Sequence, residues 1–193
     1  MGLETASFSL ATIMVGWIGA TALAAHQIMC TVGQIGFMMY YGMAAAVAVM
    51  TRNHNGSDNT HGIRRTASAG FHLILIMAVA ASALIYLLRN HLGSFFTDDT
   101  EVALMTAQLA IPFILYQFGD GMQCNYSNAL RGIADVKPVM LYAFIAYFLV
   151  SLPAGYIFGF VFKMGLPGVW MSFPFGLTTA GLMFYFRFKS TLR

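Results

Sequence analysis

Apolar residues in this chain run in long blocks separated by short polar stretches. Crossing a hydrocarbon core of about 30 Å takes about 20 residues at helical rise. Residues 22–50, 66–88, 102–130, 138–162 and 165–186 meet that length and predict membrane-spanning helices. A sixth block, 3–18, ends at Gly16-Trp17-Ile18-Gly19 and carries Glu4 in its first turn. Counted from Met1 it barely reaches across, and Trp17 suits an interface anchor. The polar stretches 51–65, 89–101 and 131–137 are expected to be loops, the second holding the acidic cluster Asp98, Asp99 and Glu101. Pro112 is placed to bend the fourth span. Leu152-Pro153-Ala154-Gly155-Tyr156 and Phe173-Pro174-Phe175-Gly176 are expected to interrupt the fifth and sixth. The pattern predicts an all-α membrane protein of six transmembrane helices in one domain, with the first helix short.

Composition agrees. Of the 193 residues, 59% are hydrophobic and 9% charged, against about 25% charged in soluble domains. The net charge is +3, but the placement of the charges says more. Arg52, Arg64, Arg65, Arg131, Lys137, Arg187, Lys189 and Arg193 fall in one set of loops and ends, and only Arg89 and Lys163 in the other. By the positive-inside bias both termini are cytoplasmic and the 98–101 cluster is outside. No signal peptide is expected at the N-terminus. Cys30 and Cys124 have no metal-like spacing and read as small packed residues. Phosphate-binding loops, nucleophile elbows and zinc-protease motifs are absent from the sequence, which argues against ATP hydrolysis and against an enzyme. The expected partner is membrane lipid, not nucleic acid.

The unusual residue is Asp120. It lies in an apolar span, 11 residues before Arg131 and so about 16 Å from the polar turn. An ionised Asp near mid-bilayer costs about 2.5–3.5 kcal/mol on insertion scales. Gln117, Asp120, Cys124 and Ser127 are spaced to share one helical stripe. Gly119 and Gly121 are expected to expose backbone beside the carboxyl. Glu4 is the other acid within an apolar block. From its position it is either a first-turn residue favoured by the helix dipole or, with more helix before it, a second deep acid. No Lys or Arg lies at comparable depth, so each acid is protonated, binds a cation or pairs with something outside the chain. Gln27, Thr31 and Gln34 share a face of the second span. His26 reads as a hydrogen-bonded core histidine rather than a proton relay, and Tyr40 and Tyr41 as packing or interface aromatics.

Several strings together resemble one family, that of multidrug and toxic compound extrusion (MATE) transporters. Gly16-Trp17-Ile18-Gly19 followed by Ala22-Leu23-Ala24-Ala25-His26-Gln27-Ile28 is similar to its seventh-to-eighth helix junction. Tyr116-Gln117 to Asp120, then Leu130-Arg131-Gly132 with Asp135, is similar to the tenth helix and the turn after it. Leu152-Pro153-Ala154-Gly155-Tyr156 resembles the eleventh helix, and residues 165–170 the start of the twelfth.

The resemblance implies a bacterial inner-membrane antiporter that exports small organic, often cationic, compounds on a sodium or proton gradient, with no other cofactor. It also implies twelve helices in two six-helix lobes. This chain would be the C-terminal lobe alone: a partial chain lacking an N-terminal lobe, or a half-size subunit needing a second one. Glu4 and Asp120 would be the cation-coupling acids and a possible sodium site, and Gln27 a polar position near it. With Gln117 and Gln34, Gln27 would belong to the polar cavity wall. Phe37 stands where some members have a cavity tyrosine. The competing reading is a non-transporting membrane scaffold or half-size subunit in which Asp120 pairs helices.

Overall fold

Every apolar block forms helix in the computed structural model, which describes residues 2–192. In lipid a backbone has no water to bond, so each span must satisfy its own N–H and C=O groups. The first helices are α1 (Gly2–Gly16), α2 (Ala20–Gly56) and α3 (Thr60–Leu92). The next span is a pair, α4 (Thr100–Gln108) and α5 (Ala110–Gly132), bent by 46°. Then come α6 (Val136–Phe144), α7 (Leu152–Tyr156) and α8 (Gly165–Thr191). Four helical stretches are long and apolar enough to cross a membrane, and the bent pair makes a fifth. With its 15 residues, α1 rises about 22 Å, short of the core thickness.

Several expected boundaries are corrected. The polar stretch 51–65 is mostly helix, leaving only residues 57–59 as the turn between α2 and α3. Helix propagates past the apolar block because its ends are satisfied locally. Thr51, fully buried, donates its hydroxyl to the Val47 carbonyl, and the Asn59 side chain caps α3 by accepting from the Gly62 N–H at 2.8 Å. The 89–101 stretch also shrinks, because α3 runs to Leu92 and α4 begins at Thr100. Within the acidic cluster, Asp99 accepts from the Glu101 N–H at 2.9 Å and caps α4.

The prolines act differently from one another. Pro112 has no N–H for the Gln108 carbonyl, and the helix breaks where that bond is missing, between α4 and α5. The fifth span is not interrupted at Pro153. Wider π-helical segments, Ile145–Ser151 and Ile157–Val161, flank α7, and 136–161 is one continuous span. The wider turn before Pro153 absorbs its missing hydrogen bond. Nor does Pro174 break the sixth span, since α8 passes through it. Packing of α8 on both α5 and the 136–161 span holds it straight enough to continue.

The centre of the lobe is α5. It packs on α2, α3 and α8, and 17 of its 23 residues are buried. Large apolar side chains such as Ile35, Ile76, Leu87 and Phe186 remain exposed on the outer helices, as expected of a surface that meets acyl chains. Contacts also gather the cationic helix ends. Arg187 pairs with Asp135 at 2.7 Å, and Arg64 donates to the Leu192 carbonyl at 2.5 Å. These contacts bring the start of α3, the turn before α6 and the end of α8 to one end of the lobe.

Candidate functional site

The site is built on α5 because that helix alone combines burial with a polar stripe. Gln117, Asp120, Cys124 and Ser127 are each at most 5% exposed. The flanking glycines do not bare backbone to a ligand, contrary to the sequence reading. A Cβ on Gly121 would lie 2.7 Å from Ile74 of α3, and one on Gly119 would lie 3.0 Å from the Thr178 hydroxyl of α8. They let α3 and α8 close on α5 and seal Asp120 between them, as small residues do at membrane helix interfaces.

The polar partners around Asp120 are unevenly satisfied. Its Oδ1 accepts a weak bond from the Cys124 thiol at 3.6 Å, while its Oδ2 is buried with no hydrogen-bond partner. Tyr40 of α2 donates its hydroxyl to Gln117 Oε1 at 2.6 Å, leaving the Gln117 amide nitrogen unpaired. Gln123 donates its amide to the Tyr147 hydroxyl, leaving its own Oε1 unpaired. Asn125 bonds outward to the Ala67 carbonyl at 3.0 Å, and its Oδ1 is also unpaired. Four orphaned polar atoms on neighbouring turns of one helix are unusual, because buried polar groups nearly always find partners.

Two cavities flank this stripe. One, of about 340 Å³, is lined by Glu4, Phe8, Cys30, Gln34, Phe113 and Tyr116 among others. The second, of about 440 Å³, is lined by Glu4, Gln123, Cys124, Ser127, Arg131 and Tyr147 among others. Glu4 borders both. Asp120 lines neither cavity itself, while its α5 neighbours Tyr116 and Cys124 line one each. Gln34 lines the first cavity. Gln27 is exposed on α2, and its carbonyl accepts from the exposed Thr31 hydroxyl at 2.9 Å. Phe37 lines both cavities and stacks on Tyr41, with ring centres 5.8 Å apart. Cys30 is half-buried, not enclosed as expected.

Three contributors escaped the sequence reading. Tyr40 is 1% exposed and serves the site rather than an interface. Tyr147 lines the second cavity and accepts from Gln123, whose place in the polar stripe the sequence shows. Arg131 lines that cavity as well as Glu4. Only Gln117 and Gln123, amides that needed partners inside an apolar lobe, signalled that such residues existed.

His26 belongs to a different network. The Trp170 indole N–H donates to His26 Nδ1 at 3.1 Å. Indole can only donate, so Nδ1 is the acceptor and the ring proton sits on Nε2. There it meets the Thr12 hydroxyl oxygen at 3.0 Å, while the Thr12 proton goes to the Phe8 carbonyl at 2.9 Å. The chain of donors is complete and uses a neutral imidazole. Among the described residues, no group of three His, Cys, Asp or Glu side chains is arranged to hold a metal ion.

Fold and site together define a class: a multi-pass helical membrane lobe with a carboxyl sealed in its central helix. The family model described as MatE matches residues 1–157, and the chain belongs to that family. It is 34% identical over 192 residues to the probable multidrug resistance protein NorM of Xanthomonas axonopodis pv. citri, covering 99% of this chain and 42% of that protein. With the protein of the same description from Xylella fastidiosa it is 32% identical, covering 97% and 40%. The solved eukaryotic MATE transporter AtDTX14 superposes with a TM-score of 0.87 at 19% identity, covering 97% of this chain and 43% of the other. The bent form of the Vibrio cholerae MATE transporter VcmN gives 0.86 at 16% identity, covering 99% and 43%. The fold is thus that of one lobe of these transporters, and the chain spans well under half the length of the curated relatives it matches.

Proposed function

We propose that this chain is the C-terminal lobe of a cation-coupled antiporter that exports small organic, often cationic, compounds. It acts with an N-terminal lobe or a second subunit, in a bacterial inner membrane with both termini cytoplasmic. The observation that carries the reading is Asp120 Oδ2: a carboxyl oxygen 1% exposed at the residue level, with no partner, on the same helix as three amides that each have an unpaired atom. Helix-pairing residues are held by completed hydrogen bonds, whereas this group is left to be completed by something that comes and goes.

A proton or a sodium ion fits that role. Sodium would take carboxylate oxygens from Asp120 and Glu4 and neutral oxygens such as Gln123 Oε1. Those are the hard donors an alkali cation prefers, and as cargo it needs no permanent cage. Loading the acids favours the conformation that releases substrate to the outside, because a bound ion shifts the equilibrium by its differential affinity for the two states. The relatives' description as multidrug resistance proteins supports export of organic compounds. The eight-to-two distribution of cations supports the orientation. Membrane transport without bond-making chemistry is the corresponding non-enzymatic role.

The test is Asp120→Asn in the complete two-lobe transporter. Drug efflux should fall to the level of cells lacking the protein, with membrane insertion unchanged. Normal, still cation-dependent efflux would remove Asp120 from coupling. Lowered stability with intact cation dependence would favour the scaffold reading, in which Asp120 joins helices.

A further inference from the structure

The lobe carries a second groove on the side that the acid site does not use. It encloses about 590 Å³ between α3 and α8, with Met122 and Tyr126 of α5 as its floor. Met122 follows Asp120 by two residues, about 200° around the helix, so this floor is the back of the coupling stripe. Arg64 enters from the first turns of α3 and Lys189 from the last turns of α8, and the Arg64–Leu192 bond ties those ends together. Seven residues further along each helix, about 10 Å inward, the groove is walled by Phe71 and Leu182. No carboxylate lines it. Among the described residues the one salt bridge joins Arg187 to Asp135, and no described carboxylate pairs with Arg64 or Lys189.

Two cations at the polar end of an apolar trough match the charge and length of a phospholipid. We infer that this groove binds an anionic phospholipid, with its headgroup held by Arg64 and Lys189 and its acyl chains laid along Phe71, Met122 and Leu182. A zwitterionic lipid offers the same chains, but its own ammonium offsets its phosphate. Selectivity therefore comes from the two basic residues, and each Lys or Arg near an anionic lipid surface favours it by about fivefold. The same apolar wall would accept either lipid, so acyl contacts set affinity and the cations set preference.

The inference is tested on this chain extracted from membranes in mild detergent. Native mass spectrometry would compare retained phosphatidylglycerol with phosphatidylcholine of identical acyl chains. The wild-type chain should retain the anionic lipid about 25-fold more. Arg64→Gln with Lys189→Gln should bring the two lipids level, and Arg64→Lys with Lys189→Arg should keep the preference. Arg52→Gln with Lys137→Gln makes the same charge change at exposed residues outside the groove and should also keep it. Circular dichroism identifies any variant that has lost helix. Equal retention of both lipids by the wild type overturns the inference. So does equal loss in both glutamine pairs, which would assign the preference to general surface charge. A dimer in lipid-free detergent that Phe71→Glu dissociates would assign the groove to a second copy of the chain.

Discussion

Two polar clusters lie buried in this lobe, and they are finished to different degrees. Around His26 the nitrogen and hydroxyl donors each meet an acceptor: Trp170 to His26, His26 to Thr12, Thr12 to Phe8. Around Asp120, one carboxyl oxygen, the Gln117 amide nitrogen, Gln123 Oε1 and Asn125 Oδ1 have no partner. Both clusters are nearly inaccessible, His26 and Asp120 being each 1% exposed, so burial does not distinguish them. Completion does. A closed network stabilises a single arrangement of α1, α2 and α8, and under the proposed function the open one leaves room for a transient ion. On that proposal the first cluster would belong to the scaffold and the second to the moving part of the cycle.

The sharpest break of this comparison is expected at Asp120 itself. Asp120→Asn removes the ionisable group but keeps its shape, so the two-lobe transporter should lose cation-coupled efflux completely. Its thermal midpoint in detergent should nevertheless stay close to that of the wild type, since no completed bond is lost apart from the weak Cys124 contact. A large fall in the midpoint would mean that the carboxyl is a structural partner after all.

The opposite outcome is expected at Trp170. Trp170→Phe keeps an aromatic ring in the cluster of Phe113, Tyr116 and Phe173 but leaves His26 Nδ1 without a donor. An unsatisfied buried acceptor costs about 1–3 kcal/mol, so thermal stability should fall while the cation dependence of transport persists in correctly inserted protein. Unchanged stability would show that the imidazole finds another partner and that its network is not closed.

How much of this could be read from sequence follows the same division. The spans were legible because lipid forces every backbone group into helix, and the apolar blocks must match the membrane thickness. Asp120 was legible because an acid inside such a block is costly. Helix ends were not, because propagation through 51–56 and 60–65 depends on local bonds from Thr51 and Asn59 rather than on hydropathy. Continuity through Pro153 was hidden as well, since π-helical turns leave no mark in composition. Partners of the stripe were least legible of all: Tyr40 and Gln117 are 77 positions apart, and only tertiary packing brings them together. The glycines beside Asp120 signalled a special backbone, but their reason is contact with α3 and α8.

A finer test asks whether Tyr40 belongs to the closed or the open kind. It completes Gln117 Oε1 at 2.6 Å, yet the same amide's nitrogen stays unpaired one turn from Asp120. Tyr40→Phe should cost about 1 kcal/mol of stability and also alter the sodium or proton dependence of efflux by a few fold, because Gln117 is then free to reorient. An effect on stability alone would place Tyr40 with the scaffold and confine the open cluster to α5 and Glu4.

The smallest effect is expected at the edge of the lobe, where Asp135 offers a control lying outside the spans. The Arg187 guanidinium holds its carboxyl below the usual carboxylate range, partial desolvation opposes this, and the Thr191 hydroxyl adds to the lowering. A lowered value in the folded protein means the unfolded chain binds the proton more readily. The pair therefore contributes its full stabilisation above the ordinary Asp value of about 3.9 and loses it as pH falls through that value toward the folded one. Arg187 is 37% exposed and solvent screens the pair, so Asp135→Asn should lower the thermal midpoint at neutral pH by less than Tyr40→Phe. The difference between variant and wild type should vanish in acid, and high salt should shrink it. A difference that persists in acid would mean that Asp135 acts through its bond to Thr191 rather than through charge. Loss of efflux in this variant would show that the α5–α6 turn moves with the coupling site instead of serving as a fixed end of the lobe.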